Sequence, residues 1–193
     1  YSLIIPVYNE EKAVNRLLKS LDKYSRIIEI IIINDGSNDR TKSLLEKQNS
    51  FKIIHNNKNR GKGFSITRGL ELATKKNVIL MDGDLEVHLN QIPELIKNFE
   101  SNDKDVLVGM RWENNKHIFS NINSFGNYLI NGIFNFLFKS NFNDVLCCVR
   151  ILDKELFKSL KIKSRKFSIE AETLAKLVLK KASIEQVLIH YKR

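Results

Sequence analysis

The sequence contains few cysteines, prolines and glycines, the residues that cross-link a chain or break its regular structure. Its 193 residues include only two cysteines, two prolines and eight glycines. Because Cys147 and Cys148 are adjacent, they exclude a disulfide framework and favour a reducing compartment. Two neighbouring cysteines are also too few for a four-ligand zinc site. The low proline and glycine content excludes collagen-like and linker-like chains.

Long hydrophobic runs are absent too. No apolar run reaches the roughly 18 residues that a membrane-spanning helix needs. The nearest candidate, YLINGIFNFLF at 128–138, is interrupted by two asparagines and a glycine. The sequence opens on Tyr1 rather than methionine. We therefore expect it to be part of a longer protein, which leaves room for a membrane segment after residue 193.

Basic residues outnumber acidic ones by 32 to 22, which gives a net charge of +10. Such a chain attracts nucleic acid, nucleotide phosphates or an anionic membrane. Seven basic and two acidic residues fall between Arg150 and Lys166, a net charge of +5. This run is either a solvated helical face or a membrane-binding segment. A nucleic-acid-binding module predicts a basic stripe interleaved with aromatics, which is missing, so we expect no nucleic-acid partner.

Short apolar runs alternate with helical patterns along the first 110 residues. The predicted strands are 2–7, 27–35, 51–56, 77–84 and 105–110, and the predicted helices are 11–22, 39–47, 61–74 and 92–99. Further on, the predicted helices are 120–138, 153–160 and 170–181, and the predicted strands are 146–152 and 183–191. This alternation predicts an α/β fold with a mainly parallel sheet and helices on both faces.

Polar motifs follow three of the predicted strands, at 8–10, 34–37 and 82–84. Ligands of parallel sheets bind beyond the carboxyl ends of the strands, so these motifs predict a site there. Asp82 and Asp84, two apart on an extended chain, should point the same way, and Gly83 allows a ligand to approach closely. Mg²⁺ or Mn²⁺ would neutralise this pair and could bridge a diphosphate. The simpler alternative is a plain Asp-Gly turn.

The segment NRGKG at 59–63 precedes a predicted helix. Glycines that expose backbone N–H groups at a helix start, together with Lys62, form an anion site. Neither a Walker A motif nor a G-x-G-x-x-G fingerprint is present, which argues against Walker-type hydrolysis and dinucleotide binding.

Taken together, the motifs resemble a known family. IPVYNEE (5–11), IIINDGSNDRT (32–41), NRGKG (59–63), LMDGDLE (80–86) and VGMR (108–111) occur in the order and spacing of family 2 glycosyltransferases with the GT-A fold. The chain most resembles the branch that loads a sugar onto a polyprenyl phosphate, which includes dolichol-phosphate mannosyltransferase and dolichyl-phosphate glucosyltransferase. The likeness continues at 143–157, 167–173 and 184–193. Cys148 stands where the family has glycine.

This resemblance implies a single GT-A catalytic domain over 1–193, with a Rossmann-like, mainly parallel twisted sheet. Residues 1–110 would bind the nucleotide-sugar and residues 111–193 the acceptor. The implied activity is inverting transfer of a hexose from GDP-mannose or UDP-glucose to a polyprenyl (dolichyl) phosphate. The implied location is cytoplasmic, peripheral on the cytoplasmic face of a membrane with an anionic surface.

The resemblance also assigns roles to individual residues. The donor would be bound by Pro6, Tyr8, Glu10, Ile33, Asp35, Lys62, Asp82 and Gly83. A Mg²⁺ or Mn²⁺ ion would be held by Asp82, Asp84 and Glu86. The catalytic residues would be Asp84, Arg111 and Arg193, with both arginines facing phosphate groups.

Two acceptor classes remain open. A lipid phosphate is already an anionic nucleophile and needs no general base, only arginines that orient it. A glycan hydroxyl requires a carboxylate that takes its proton, for which Asp144, Glu170 and Glu172 are the candidates.

Overall fold

A computed structural model describes residues 1–112, 122–166 and 168–192. Its strands are β1 (Ser2–Val7), β2 (Glu29–Asn34), β3 (Lys52–His55), β4 (Asn77–Leu80), β5 (Val106–Met110), β6 (Arg150–Asp153) and β7 (Ile184–Leu188). Its helices are α1 (Val14–Asp22), α2 (Thr41–Leu45), α3 (Lys62–Leu72), α4 (Ile92–Ser101), α5 (Ile122–Phe138), α6 (Lys154–Ser159) and α7 (Ile169–Leu179).

The strands form one seven-stranded sheet in the order β3-β2-β1-β4-β6-β5-β7. β1 pairs in parallel with β2 and β4, β2 with β3, and β5 with β7. β6 runs antiparallel to both of its neighbours, β4 and β5. The predicted mainly parallel α/β sheet is therefore confirmed, with β6 as the one reversed strand among the described residues.

Apolar side chains fill both faces of the sheet. Successive strand residues point to opposite faces, so Ile5 of β1 joins a core with Leu17 of α1, whereas Ile4 joins a second core with Ile66 of α3. All four of these side chains are almost completely buried. Burial on both faces explains why β1 and β2 are continuous apolar runs rather than alternating ones.

Two predicted strands, 77–84 and 146–152, lose four residues each at one end in the structure. β4 ends at Leu80, so Asp82 and Asp84 lie beyond the strand, and the expectation that an extended strand runs through them is wrong. The chain packs tightly here, because a Cβ on Gly83 would lie 2.4 Å from Val7 Cγ1. The predicted strand 146–152 begins only at Arg150, since a turn in which Cys147 N–H donates to Asp144 O precedes it.

Two asparagines of α5, Asn131 and Asn135, turn towards the protein. Asn131 Nδ2 donates to Asn143 O (2.7 Å), and Asn135 Nδ2 donates to Phe142 O (2.9 Å). The asparagines that interrupt the apolar run therefore hold the chain that follows the helix. Across the described ranges, none of the helices is long and apolar enough to span a membrane.

Candidate active site

The loops after β1, β2 and β4 enclose a cleft of about 450 Å³ at one edge of the sheet. Seven of the eight residues predicted to bind the donor line it, namely Pro6, Tyr8, Glu10, Asp35, Lys62, Asp82 and Gly83. Asp84 lines it as well, together with Asn59 and Gly61 of the predicted anion-binding segment 59–63 and with Lys166, which the sequence analysis did not select as a site residue. The structure thus brings residues from five separate sequence segments to one cleft.

Ile33 is the exception. Its side chain is fully buried and belongs to the core between the sheet and α3. A Cβ on Gly69 of α3 would lie 3.0 Å from Ile33 Cδ1, so the helix covers this position closely. The side chain of Ile33 therefore packs in the core and not beside the cleft, while Asp35, beyond the end of β2, reaches it.

Side-chain hydrogen bonds join the loops after β1 and β2. The backbone N–H of Asn9 donates to Ser37 Oγ (2.9 Å), and that of Asn38 donates to Asn9 Oδ1 (2.8 Å). The N–H of Glu10 donates to Thr41 Oγ1 (2.8 Å). Asn9 adopts a left-handed conformation (φ 56°), which asparagine tolerates better than most residues. These bonds fix the wall that carries Tyr8 and Glu10.

Asp35 anchors the glycine turn that follows β3. Its Oδ1 accepts from the backbone N–H of Arg60 (3.0 Å), and its Oδ2 accepts from that of Gly61 (2.7 Å). Asn56 Nδ2 donates to Oδ1 as well (2.7 Å). Gly61 has a φ of +92°, a region that side-chain-bearing residues avoid. Asp35 thus shapes the cleft, a role that the sequence analysis did not predict.

The end of the basic run lies on the same glycine turn. A Cβ on Gly61 would lie 2.1 Å from Arg165 O, and one on Gly63 would lie 2.1 Å from Ser164 O. Glu172 secures this segment by accepting from the backbone N–H groups of Lys163 (2.9 Å) and Ser164 (2.6 Å). Lys166 reaches the cleft as a result. The 161–166 loop is thereby part of the site.

The run from Arg150 to Lys166 is therefore not one solvated face. Arg150 is 2% exposed, and its Nη2 donates to Glu170 O (2.6 Å). Burial lowers the pKa of this guanidinium below its usual value. The charge of Arg150 is unavailable to a membrane, so only the later residues of the run can contribute to one.

Lys62 forms the centre of an ion cluster. Its Nζ lies 2.6 Å from Asp82 Oδ1 and 2.8 Å from Asp82 Oδ2, and it also contacts Glu170 Oε1 of α7. Only 10% of the Lys62 side chain is exposed. Burial alone would lower the pKa of Lys62, but the charges of Asp82 and Glu170 raise it above its ordinary value. The lysine is therefore a permanent cation in the cleft.

The opposite charge accumulates around Asp84. Burial raises the pKa of Asp84, and the nearby charges of Asp82 and Glu86 raise it further. The pKa of Glu10 is also raised, by burial and then by the charge of Asp84. A divalent cation would relieve this repulsion, and carboxylate oxygens are the ligands that Mg²⁺ and Mn²⁺ prefer.

Two carboxylates, those of Asp82 and Asp84, are available here as ligands of a metal ion. Asp82, Asp84 and Glu86 border one small cavity of about 40 Å³. Glu86 Oε2 accepts from Tyr191 Oη–H (2.8 Å), and within the described ranges no three acidic, histidine or cysteine side chains are grouped to hold a metal ion. Asp82 and Asp84 fit a cation at the cleft, while Glu86 is held by Tyr191.

Arg111 borders the same small cavity. Its Nε and Nη2 donate to the two carboxylate oxygens of Asp144 at 2.7 and 2.9 Å, a bidentate pair. Its guanidinium also lies over the rings of Trp112 (4.6 Å) and Tyr191 (5.4 Å). The charges of the pair hold the pKa of Arg111 above its usual range, although burial opposes this. Arg193 lies outside the described residues.

The three carboxylates considered as general bases all have cationic partners. Asp144 is fully buried against Arg111, and Glu170 is paired with Lys62. Glu172 pairs with Lys176 at 2.6 Å. Burial would raise its pKa, but the hydrogen bonds from Lys176 and from the 161–166 loop lower that pKa to about 2. None of the three is placed as a free proton acceptor.

Comparison with known proteins identifies the class. The family model for glycosyl transferase family 2 matches residues 2–161. The chain therefore belongs to glycosyl transferase family 2, as the sequence motifs predict.

Individual relatives show how far the likeness extends. An uncharacterised protein of Methanocaldococcus jannaschii is 29% identical over 97% of this chain and 87% of its own length. The dodecaprenyl-phosphate galacturonate synthase of Rhizobium johnstonii is 28% identical over 83% of this chain and 50% of its own. The dolichol-phosphate mannosyltransferase of Pyrococcus furiosus is 31% identical over 58% of this chain and 33% of its own. The chain thus spans half or less of these two named enzymes.

Solved structures agree on the fold. Glucosyl-3-phosphoglycerate synthase from Mycobacterium tuberculosis, in complex with phosphoglyceric acid, superposes with a TM-score of 0.79 and 18% identity, over 100% of this chain and 72% of that one. The same enzyme in complex with Mn²⁺, UDP and glucosyl-3-phosphoglycerate gives a TM-score of 0.74 and 17% identity, over the same shares. The predicted GT-A fold is confirmed.

The contact between the glycine turn and the 161–166 loop can be tested directly. Gly63→Ala places a methyl group against Ser164 O, so it should displace the loop and weaken nucleoside diphosphate binding about tenfold or more. The matched control is Gly132→Ala in α5, where no atom lies within 4 Å of the added Cβ. That change should leave binding intact and stabilise the helix slightly, by up to about 1 kcal/mol. Calorimetric titration with UDP and GDP measures the nucleotide affinity of each variant. Equal affinities of Gly63→Ala and Gly132→Ala would contradict a role of this contact in the site.

Proposed function

We propose that this chain is an inverting, metal-dependent hexosyltransferase that moves a sugar from a nucleoside diphosphate to a polyprenyl phosphate. One observation carries the proposal: the cleft joins Lys62, Asp82 and Asp84, while Arg111 borders the adjoining small cavity with the same two aspartates. Residues 1–110 supply the donor side, to which the 161–166 loop adds Lys166, and the rest of 111–193 supplies the acceptor side. The named relatives act on polyprenyl or dolichyl phosphates, which supports this acceptor class.

The donor is proposed to be a nucleotide hexose, UDP-glucose or GDP-mannose. The cleft wall offers the half-exposed ring of Tyr8 for the base, with Pro6 and Glu10 beside it. Asp35 bonds the base or ribose at the cleft floor, and Lys62 and Lys166 face the diphosphate. Related folds that bind UDP with Mn²⁺ support a nucleoside diphosphate donor of this kind.

Asp82 and Asp84 are proposed to hold Mg²⁺ or Mn²⁺, with Glu86 as a third ligand once Tyr191 releases it. A divalent cation at this place offsets the charge that develops on the departing nucleoside diphosphate. The chain's own residues do the rest: Lys62 and Lys166 bind the phosphates, and Gly83 lets the donor approach the backbone.

For the acceptor, a phosphate oxygen attacks the anomeric carbon while the nucleoside diphosphate leaves from the opposite face. Such a nucleophile is already ionised, so the site needs no general base. This agrees with the cationic partners of Asp144, Glu170 and Glu172. Arg111, held rigidly by Asp144, is proposed to orient the phosphate, together with Arg193.

Membrane binding is proposed to come from α5. Its outward face carries Tyr128, Leu129, Ile130, Ile133, Phe136 and Leu137, all more than 40% exposed. This face could enter the interfacial region of a bilayer where a polyprenyl phosphate presents its head group. Lysines of the 161–166 loop would add attraction to an anionic, cytoplasmic membrane face.

The role of the aspartate pair is tested by Asp84→Asn. The side chain stands on a bend outside the core, so the variant should fold, but it should lose metal-stimulated transfer by a factor of about 100 or more. The control is Asp103→Asn at an exposed position away from the cleft. A panel of UDP-glucose, GDP-mannose and related donors with Mn²⁺ or Mg²⁺, read by thermal shift and by turnover, measures both. Unchanged turnover in Asp84→Asn would refute the role.

The acceptor assignment is tested by Arg111→Lys. Lysine keeps the charge but loses the bidentate pair, and a charge-assisted hydrogen bond contributes about 1.5–3 kcal/mol, so KM for the lipid phosphate should rise about ten- to hundredfold. Arg193→Ala should act in the same direction, and Arg26→Lys on a remote exposed turn serves as control.

Glu170→Gln and Glu172→Gln discriminate between the two acceptor classes. Both should retain transfer to a lipid phosphate, since neither is an obligatory base. If either change abolishes transfer while Arg111→Lys keeps its acceptor KM, the acceptor is a hydroxyl.

The membrane-binding face is tested by the double change Phe136→Ser and Leu137→Ser. Burying such side chains is worth about 1.5–3 kcal/mol each, so partitioning onto anionic vesicles should fall more than about tenfold. Ile27→Ser, at a residue 74% exposed elsewhere on the surface, is the matched control. Co-sedimentation with neutral and anionic vesicles measures this. Equal binding to both vesicle types would exclude the electrostatic contribution, and unchanged binding of the double variant would exclude α5.

A further inference from the structure

Lys62 is bound to the first aspartate of the proposed metal pair. The ammonium group has three N–H donors, and three carboxylate oxygens lie against it: both oxygens of Asp82, at 2.6 and 2.8 Å, and Oε1 of Glu170. Glu170 is 6% exposed and lies in the first turn of α7. The ammonium group of Lys62 is therefore paired with carboxylates from two separate elements.

The same lysine also faces the ligand space. It stands at the first position of α3, after the glycine turn, and it lines the cleft beside Asp82 and Asp84. A phosphate group in the cleft would compete with Asp82 for its N–H donors, because phosphate oxygens accept strong charge-assisted bonds from lysine. The lysine can change partner by rotating its side chain, with no movement of the backbone.

We propose that Lys62 is an internal counter-ion that occupies Asp82 while the donor is absent and passes to the diphosphate when the donor binds. This inference rests on the proposed function and adds a sequence of events to it. A cation needs the lone pairs of the Asp82 oxygens, which Lys62 blocks while it is paired with them. The nucleoside diphosphate removes that block by attracting the lysine, so metal and nucleotide bind with positive coupling.

Glu170 sets the strength of the block. Glu170 is a second ion-pair partner of Lys62, so the lysine is held less tightly by Asp82 than it would be by Asp82 alone. With the Glu170 charge removed, Lys62 would be held by Asp82 alone and would compete with the metal more strongly. Lys62 is thus a positioning residue between α7 on the acceptor side and the aspartate pair on the donor side.

Binding measurements without acceptor test this inference. Mn²⁺ is titrated calorimetrically into the apoprotein and then in the presence of UDP or GDP, whichever the donor panel selects. Lys62→Met should bind Mn²⁺ alone about tenfold more tightly than the wild type, and it should bind the nucleotide with Mn²⁺ about tenfold more weakly. Lys158→Met, on the exposed face of α6 where Lys158 pairs with Glu155, is the matched control and should change neither value.

The opposite change comes from Glu170→Gln. This variant should bind Mn²⁺ alone more weakly than the wild type, and UDP or GDP should increase its Mn²⁺ affinity by a larger factor. If the cluster has only a structural role, the Mn²⁺ affinities of Lys62→Met and Glu170→Gln should shift in the same direction, and that result would overturn the inference. An unchanged Mn²⁺ affinity in Lys62→Met would overturn it as well. If Lys62→Met does not fold, the direction of the Glu170→Gln shift decides. Wild-type protein that binds neither nucleotide with Mn²⁺ would overturn the proposed function along with this inference.

Discussion

The candidate site depends on the parallel pairing of β1 with β2 on one side and with β4 on the other. Ile4 of β1 is in register with Ile31 of β2 and Leu80 of β4, so all three strands end at the same edge of the sheet. The polar loops that follow them must therefore share one space. Because the loops are close, Asp35 accepts hydrogen bonds from the glycine turn and fixes it. The fixed turn places Lys62 against Asp82. Loss of the parallel register would separate every one of these partners.

Much of this arrangement could be predicted from the sequence because it is encoded locally. Apolar periodicity indicated the strands and helices, and the polar motifs at strand ends indicated the cleft. The places where prediction failed depend on contacts between distant segments. Nothing near Lys62 identifies Glu170 as its partner, and the basic run does not reveal that Arg150 is buried or that the 161–166 loop crosses Gly61 and Gly63. The end of β4 at Leu80 likewise follows from packing of Gly83 against Val7, which no periodicity records.

Charge is distributed so that most ionised groups at the site already have protein partners. Asp144 immobilises Arg111, Glu172 holds the 161–166 loop, and Glu170 shares Lys62 with Asp82. Such pairs cost desolvation energy, and they are most useful where they fix a geometry. Asp84 differs, because its surroundings are mostly negative and its pKa is raised by burial. In α5, Asn131 and Asn135 bond inward and Phe134 packs in the core, while six apolar side chains from Tyr128 to Leu137 are exposed. The protein thus combines a polar, preformed cleft with an exposed apolar face on α5.

The most direct test of the central claim is the identity of the product. Wild-type protein would be incubated with the selected nucleotide hexose, Mn²⁺ and a polyprenyl phosphate in anionic vesicles, with a glycan acceptor that offers hydroxyl groups in a parallel reaction. Mass spectrometry of both acceptors then shows which one has gained a hexose. The account predicts one hexose on the lipid phosphate, linked through a phosphate oxygen, and none on the glycan. A hexose on the glycan with unmodified lipid phosphate would contradict it.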